Sequence, residues 1–164
     1  MAEKWVVVDT NVAVVANGRS DQASTKCIGI CIKRLKNITN GYEKLVLDDK
    51  WQIIKEYLQN LRSSGQPGVG DAFLKWVLNN HQNNQRCELT NISPLGLDEF
   101  PKKPDLAQFD PSDKKFVAVS LSHHARPPIL QAVDSKWWLF RDALNHNGIM
   151  VEFICEEDIK RLSE

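Results

Sequence analysis

Residues 4–11 read KWVVVDTN, three consecutive valines running into an aspartate. An unbroken β-branched run of this length suits a strand covered on both faces, because a half-exposed strand would alternate apolar with polar positions. The aspartate, Asp9, then falls at the carboxyl end of an interior strand. It is either an ordinary turn former or a charge that a site requires. The choice depends on whether other acids can meet it.

Strand and helix patterns alternate outward from this point. The spacing of Cys27, Ile28, Cys31, Ile32, Leu35 and Ile38 predicts a helix over 22–38, after a polar turn. KLVL (44–47) predicts a second strand, WQIIKEYLQNL (51–61) an amphipathic helix, and SSGQPGVG (63–70) a loop. DAFLKWVLNN (71–80) is a third helix, CELTNI (87–92) a strand, and 93–110 a proline-rich connection. Residues 110–124 form a helix, ILQAV (129–133) a strand and SKWWLFRDALNHNG (135–148) a helix closed by Gly148. IMVEFI (149–154) is the last strand and EEDIKRL the last helix. This order predicts one α/β domain over 1–164: a three-layer sandwich with a central, mostly parallel sheet of four to five strands and helices on both faces.

Composition narrows the function classes. The chain carries 21 acidic residues against 21 lysines and arginines, so any attraction for nucleic acid must be local. The opening residues lack a secretory signal pattern, and no stretch has the roughly 20 apolar residues needed to span a bilayer. Cys27, Cys31, Cys87 and Cys155 each lie among apolar neighbours without the tight spacing of zinc loops. They read as reduced core residues, and a cytoplasmic protein follows.

In open α/β sheets, sites form outside the carboxyl ends of the strands. Asp9 and Asp134 both occupy such positions. Glu56 lies about 60° beyond the Ile53 edge of its helix's apolar stripe, so it flanks the buried face. Asp113 stands three and four residues before Phe116 and Val117, above their apolar face. Each acid also has an ordinary explanation. Asp110-Pro111-Ser112-Asp113 is a good helix opening, with Asp110 as cap; Asp134 could cap the helix after it, and Glu56 could be a solvated surface residue. Together they raise a different issue. Two carboxylates 4 Å apart repel by about 4 kcal/mol at an effective dielectric near 20. Several in one pocket need a cation, and oxygen donors suit Mg²⁺ or Mn²⁺.

The four acidic motifs, in this order and on these elements, resemble those of PIN-domain nucleases, and the likeness runs from about residue 4 to 162. The resemblance implies metal-dependent hydrolysis of phosphodiester bonds, usually in single-stranded RNA, with DNA not excluded. Asp9, Asp113 and Asp134 would hold the ions, Glu56 would assist directly or through water, and Asp110 would help Asp113. Asn11 and Ser135 would orient the ligands through hydrogen bonds. Ala132 departs from the hydroxyl residue that many members carry at that position. Lys114, Lys115, Arg126 and Lys136 are the expected phosphate contacts by their nearness in sequence to the acids.

A haloacid-dehalogenase-like phosphatase would need a second acid where this chain has Asn11. GQPGVG (65–70) follows a helix instead of a strand and is a poor phosphate loop. The alternative that stays open is a catalytically inactive PIN-like module binding RNA or protein. Oligomeric state, a homodimer included, and a protein regulator are equally open.

Overall fold

A computed structural model describes residues 3–63, 65 and 67–164. Ser64 and Gln66, within the loop expected at 63–70, lie outside the described residues, as do Met1 and Ala2. Five strands, β1 (Trp5–Val8), β2 (Lys44–Asp48), β3 (Cys87–Thr90), β4 (Ile129–Gln131) and β5 (Val151–Phe153), form one sheet. The order across it is β3-β2-β1-β4-β5, and every pairing is parallel. The expected three-layer α/β architecture is the one observed.

The valine run forms the middle strand. Val7 pairs with Ile129 and Val8 with Leu130 on one side, while Trp5 and Val6 pair with Lys44 and Leu45 on the other. Val6, Val7 and Val8 are all buried, as a run without alternation requires. The chain leaves β1 towards β2 and leaves β4 towards β5, so the sheet reverses its winding direction between these two neighbours. That reversal opens a crevice at their carboxyl ends.

Among the described residues, eight helices surround the sheet: α1 (Thr10–Ala16), α2 (Thr25–Thr39), α3 (Gln52–Asn60), α4 (Val69–Asn80), α5 (Lys114–Ser122), α6 (Ser135–Leu139), α7 (Arg141–His146) and α8 (Glu156–Leu162). Helices α1, α2 and α4 pack on one another, while α5 lies against β1, β2 and β4. Gly70 lets α4 approach the backbone of α1, since a Cβ there would stand 1.9 Å from the Ala13 carbonyl oxygen. Among the described residues, no helix is long and apolar enough to cross a membrane.

Three expectations need correction. The segment after Asp9 is a helix, not merely a turn, because Asp9 caps it and Val12, Ala13, Val15 and Ala16 find buried places. The helix expected over 135–148 breaks into α6 and α7 at Phe140, whose ring packs edge-on against Phe109. The third concerns the cysteines. Cys27 is bonded to Cys155 across 128 residues of sequence, and only Cys31 and Cys87 are free. Helix α2 and the turn into α8 meet there, held also by Ser24 donating to the Asp158 carboxylate through its N–H at 2.6 Å and its hydroxyl at 3.0 Å. The cytoplasmic expectation rested on four reduced thiols and loses that support.

Candidate functional site

Asp9 follows β1 directly and is 4% exposed. Its Oδ2 accepts from the Asn11 N–H at 3.0 Å, capping α1. Burial raises its pKa well above the usual carboxylate range, and the Asp113 charge raises it further; the Asn11 N–H opposes, and Glu56 adds to the rise. Asp134 follows β4 and caps α6 by accepting from the Lys136 N–H at 3.1 Å. The two strand ends are tied together by Asn11, whose Oδ1 accepts from the Val133 N–H at 2.7 Å. Ser135 opens α6, and its hydroxyl makes no hydrogen bond among the described residues.

Asp113 ends a short 3₁₀ turn, Pro111–Asp113, and begins α5 without spending its carboxylate on a cap. Its pKa is pushed up to about 7 by burial first, then by Asp134, Asp110 and Glu56, with Lys115 opposing. Asp110 fixes that turn by accepting from the Ser112 N–H at 2.9 Å and hydroxyl at 2.8 Å. These bonds from Ser112, with Lys136 at 3.2 Å, hold its pKa below the ordinary value. Asp110 therefore supports Asp113 from the rim and also adds charge to it.

Glu56 reaches the same place from α3. The neighbouring Tyr57 is buried, and its hydroxyl donates at 2.6 Å to the Val8 carbonyl, which anchors α3 one residue before Asp9. Glu56 then accepts from Lys115 Nζ at 2.7 Å through Oε1 and from the Thr10 hydroxyl through Oε2. All four predicted acids thus share one neighbourhood at the β1/β4 crevice. Among the described residues, their oxygens do not form a set of three within 4.8 Å of one another. Like charges with too few cations between them spread apart.

The basic residues fall out differently. Lys115 is buried and paired with Glu56, so it belongs inside the cluster and is not a surface phosphate contact. Arg126 lies in the loop entering β4, at the opposite rim, because α5 carries the chain across the sheet between Asp113 and that loop. Lys114 Nζ rests 4.8 Å from the centre of the Phe100 ring, towards the long connection. Lys136 stays at the acidic rim, largely exposed beside Asp110.

Three participants were not anticipated: Thr10, Lys115 as an internal cation, and Gln131. Gln131 is fully buried. Its Oε1 accepts from the N–H of Ala132 at 3.0 Å and of Asp134 at 3.3 Å, fixing the β4 turn. Its Nε2 makes no hydrogen bond of ordinary length among the described residues, yet it lies close enough to Asp9 to favour that group's charged form. A glutamine inside the apolar run ILQAV is itself a signal, because buried amides need partners.

Two other groups have metal-binding side chains within 4.8 Å: Cys27, Cys31 and Cys155, and Glu88, His123 and His124. In the first, two sulfurs are bonded to each other. In the second, His123 Nδ1 accepts from the Ala125 N–H at 3.1 Å, so Nε2 carries the ring proton and faces Glu88 at 2.5 Å. Neither group offers three free ligands, whereas the acidic crevice offers hard oxygens with surplus charge.

No family model, curated protein or solved structure matches this chain. The likeness to PIN-domain nucleases rests on the four acidic motifs themselves.

Proposed function

We propose that the chain is a Mg²⁺- or Mn²⁺-dependent nuclease that hydrolyses phosphodiester bonds in single-stranded RNA. One observation carries the reading: Asp9 and Asp113, from separate elements, meet where β1 and β4 diverge, and both are driven towards protonation by burial first and then by repulsion from neighbouring acids. Those acids are Asp113 and Glu56 for Asp9, and Asp134, Asp110 and Glu56 for Asp113. A divalent cation removes that repulsion, and an all-oxygen donor set suits Mg²⁺ or Mn²⁺. Asp9, Asp113 and Asp134 would hold it. When bound, the ion supplies a lowered pKa for water and offsets charge on the phosphate.

The chain's own groups do the remaining work. The Asn11 N–H and the Gln131 amide orient Asp9, as partners behind a ligand commonly do. Glu56 has both oxygens engaged by Lys115 and Thr10, so its part is to set the local charge. Lys136, exposed at the rim, is placed for the strand's phosphates. The second reading, an inactive module that binds RNA or protein, is favoured by the Lys115–Glu56 pair, which neutralises one acid from within.

The test is incubation of labelled single-stranded RNA with the protein, with and without Mn²⁺. Cleavage should require the ion and vanish in Asp113→Asn. Intact RNA together with an absence of thermal stabilisation by Mn²⁺ would support the binding module instead.

A further inference from the structure

A cleft of about 500 Å³ opens beside Glu56 and Lys115 and runs along the exposed side of α3. Lys50 and Lys55 line it, together with Gln59, Pro94 and Leu95. Both lysines are exposed, and neither makes an ion pair among the described residues. Lys50 still acts on the Glu99 carboxylate from beyond ion-pair distance, whereas Lys115 and Lys136 each pair directly with an acid.

One wall residue, Leu95, and Trp51, which lies between the wall residues Lys50 and Gln52, are held in costly conformations. Leu95 has φ 59° and Trp51 has φ 63°, a left-handed region that bulky residues rarely occupy. Gln52 clamps the Leu95 turn from α3: its Oε1 accepts from the Leu95 N–H at 2.6 Å, and its Nε2 donates to the Ser93 carbonyl at 3.1 Å. Buried Asp48 fixes the turn carrying Lys50 by accepting from the N–H groups of Lys50, Gln52 and Ile53. The result is an apolar leucine, 51% exposed, held in the same cleft as two lysines that make no direct ion pair among the described residues. Strain of this kind concentrates where a ligand is gripped.

We infer that this cleft binds the single nucleic-acid strand beside the acidic crevice, with phosphates at Lys50 and Lys55 and a base against Leu95. The inference rests on the nuclease reading for its occupant. Lysines without a direct ion pair match a phosphate backbone, Leu95 offers an apolar surface to a base, and the Gln59 amide, which makes no hydrogen bond among the described residues, is available to a base edge. The volume falls within the range of small-ligand pockets, enough for about one or two nucleotides.

The test measures binding of a labelled unstructured oligonucleotide, as RNA and as DNA, in an Asp9→Asn background with Mg²⁺. Lys50→Gln/Lys55→Gln should weaken binding about tenfold and reduce the log–log salt slope by about 1.4, the value for two phosphates on a single strand. Leu95→Ser should weaken binding roughly threefold with the slope unchanged, because only apolar contact is lost. Lys33→Gln, an exposed lysine near the amino ends of the strands, should leave affinity unaltered. Equal losses on RNA and DNA assign the contacts to phosphate; a loss on RNA alone assigns them to a ribose-bearing strand, and either supports the cleft. An unchanged Kd and slope in the double lysine variant overturns it, as does failure of the Asp9→Asn protein to bind either strand. The two readings separate cleanly. Weakened binding in a protein that never cleaves ends the nuclease reading alone, and cleavage at unchanged KM by the lysine variant ends the cleft alone.

Discussion

Asn11 and Val133 join the two strands that carry the site: the Asn11 carboxamide oxygen accepts from the Val133 N–H at 2.7 Å. The bond crosses from the start of α1, just after β1, to the turn after β4, and so sets Asp9 against Asp134. Asn11→Ala would leave a largely buried N–H without its acceptor, at a cost of about 1–3 kcal/mol. We expect a lower Tm and weaker Mn²⁺ stabilisation in that variant, both read by thermal melting. Unchanged Mn²⁺ stabilisation would mean that the two strand ends hold their spacing without this bond.

Asp9→Asn should abolish metal-dependent cleavage while the fold persists, since the amide keeps the shape and can still cap α1. Asp110→Asn should have a far smaller effect. Its carbonyl oxygen can still accept from Ser112, and the lost contact with exposed Lys136 is a surface pair, worth about 0–1 kcal/mol. Rate assays on both variants decide the matter; equal losses would make Asp110 a direct participant.

The pH dependence follows from Asp113. Its pKa in the folded protein stands at about 7 against an ordinary 3.8. Below 3.8 both folded and unfolded chains hold the proton, and the group contributes no difference. Between those values the folded chain holds more protons than the unfolded one, so stability falls as pH rises, and the loss is complete above about 7. Without divalent ions, Tm should therefore decline across this window, and Asp113→Asn should flatten the decline. Saturating Mn²⁺ should restore stability at alkaline pH in the native protein by mass action, about 2.7 kcal/mol at a hundredfold excess over Kd. A Tm that rises steadily through the window would contradict the assignment.

The cysteine pairing gives a chemical count. Denatured without reductant, the chain should expose two free thiols, Cys31 and Cys87. Cys155→Ser removes a link that closes a long loop and should destabilise by about 2–5 kcal/mol. Four titratable thiols in unreduced protein would refute the pairing.

The valine strand, the strand-end acids and the helix opening at Asp110 were legible because each depends on local pattern. Helix α1 was not, since TNVAVVA is rich in β-branched residues, and its helical form is set by burial and the Asp9 cap. Arg126 lies away from the acids because nearness in sequence is not nearness in space, whereas Lys115 does reach them but is buried among them. The direction of α5 sends the chain to the opposite rim before Arg126, and the packing of α3 on α5 turns Lys115 inward. The Cys27–Cys155 pair left no trace, because nothing in either segment specifies a partner so distant. Gln131 did leave one, a polar residue inside an apolar strand.

The pairing of Val7 with Ile129 has a further result for the order of biosynthesis. The central strand is made before the other four, but one of its two flanking neighbours, β4, is made only after β2 and β3. A growing or truncated polypeptide ending before β4 therefore presents Asp9 without Asp134. Whatever chemistry the assembled rim performs is withheld from nascent chains until Asp134 has been added.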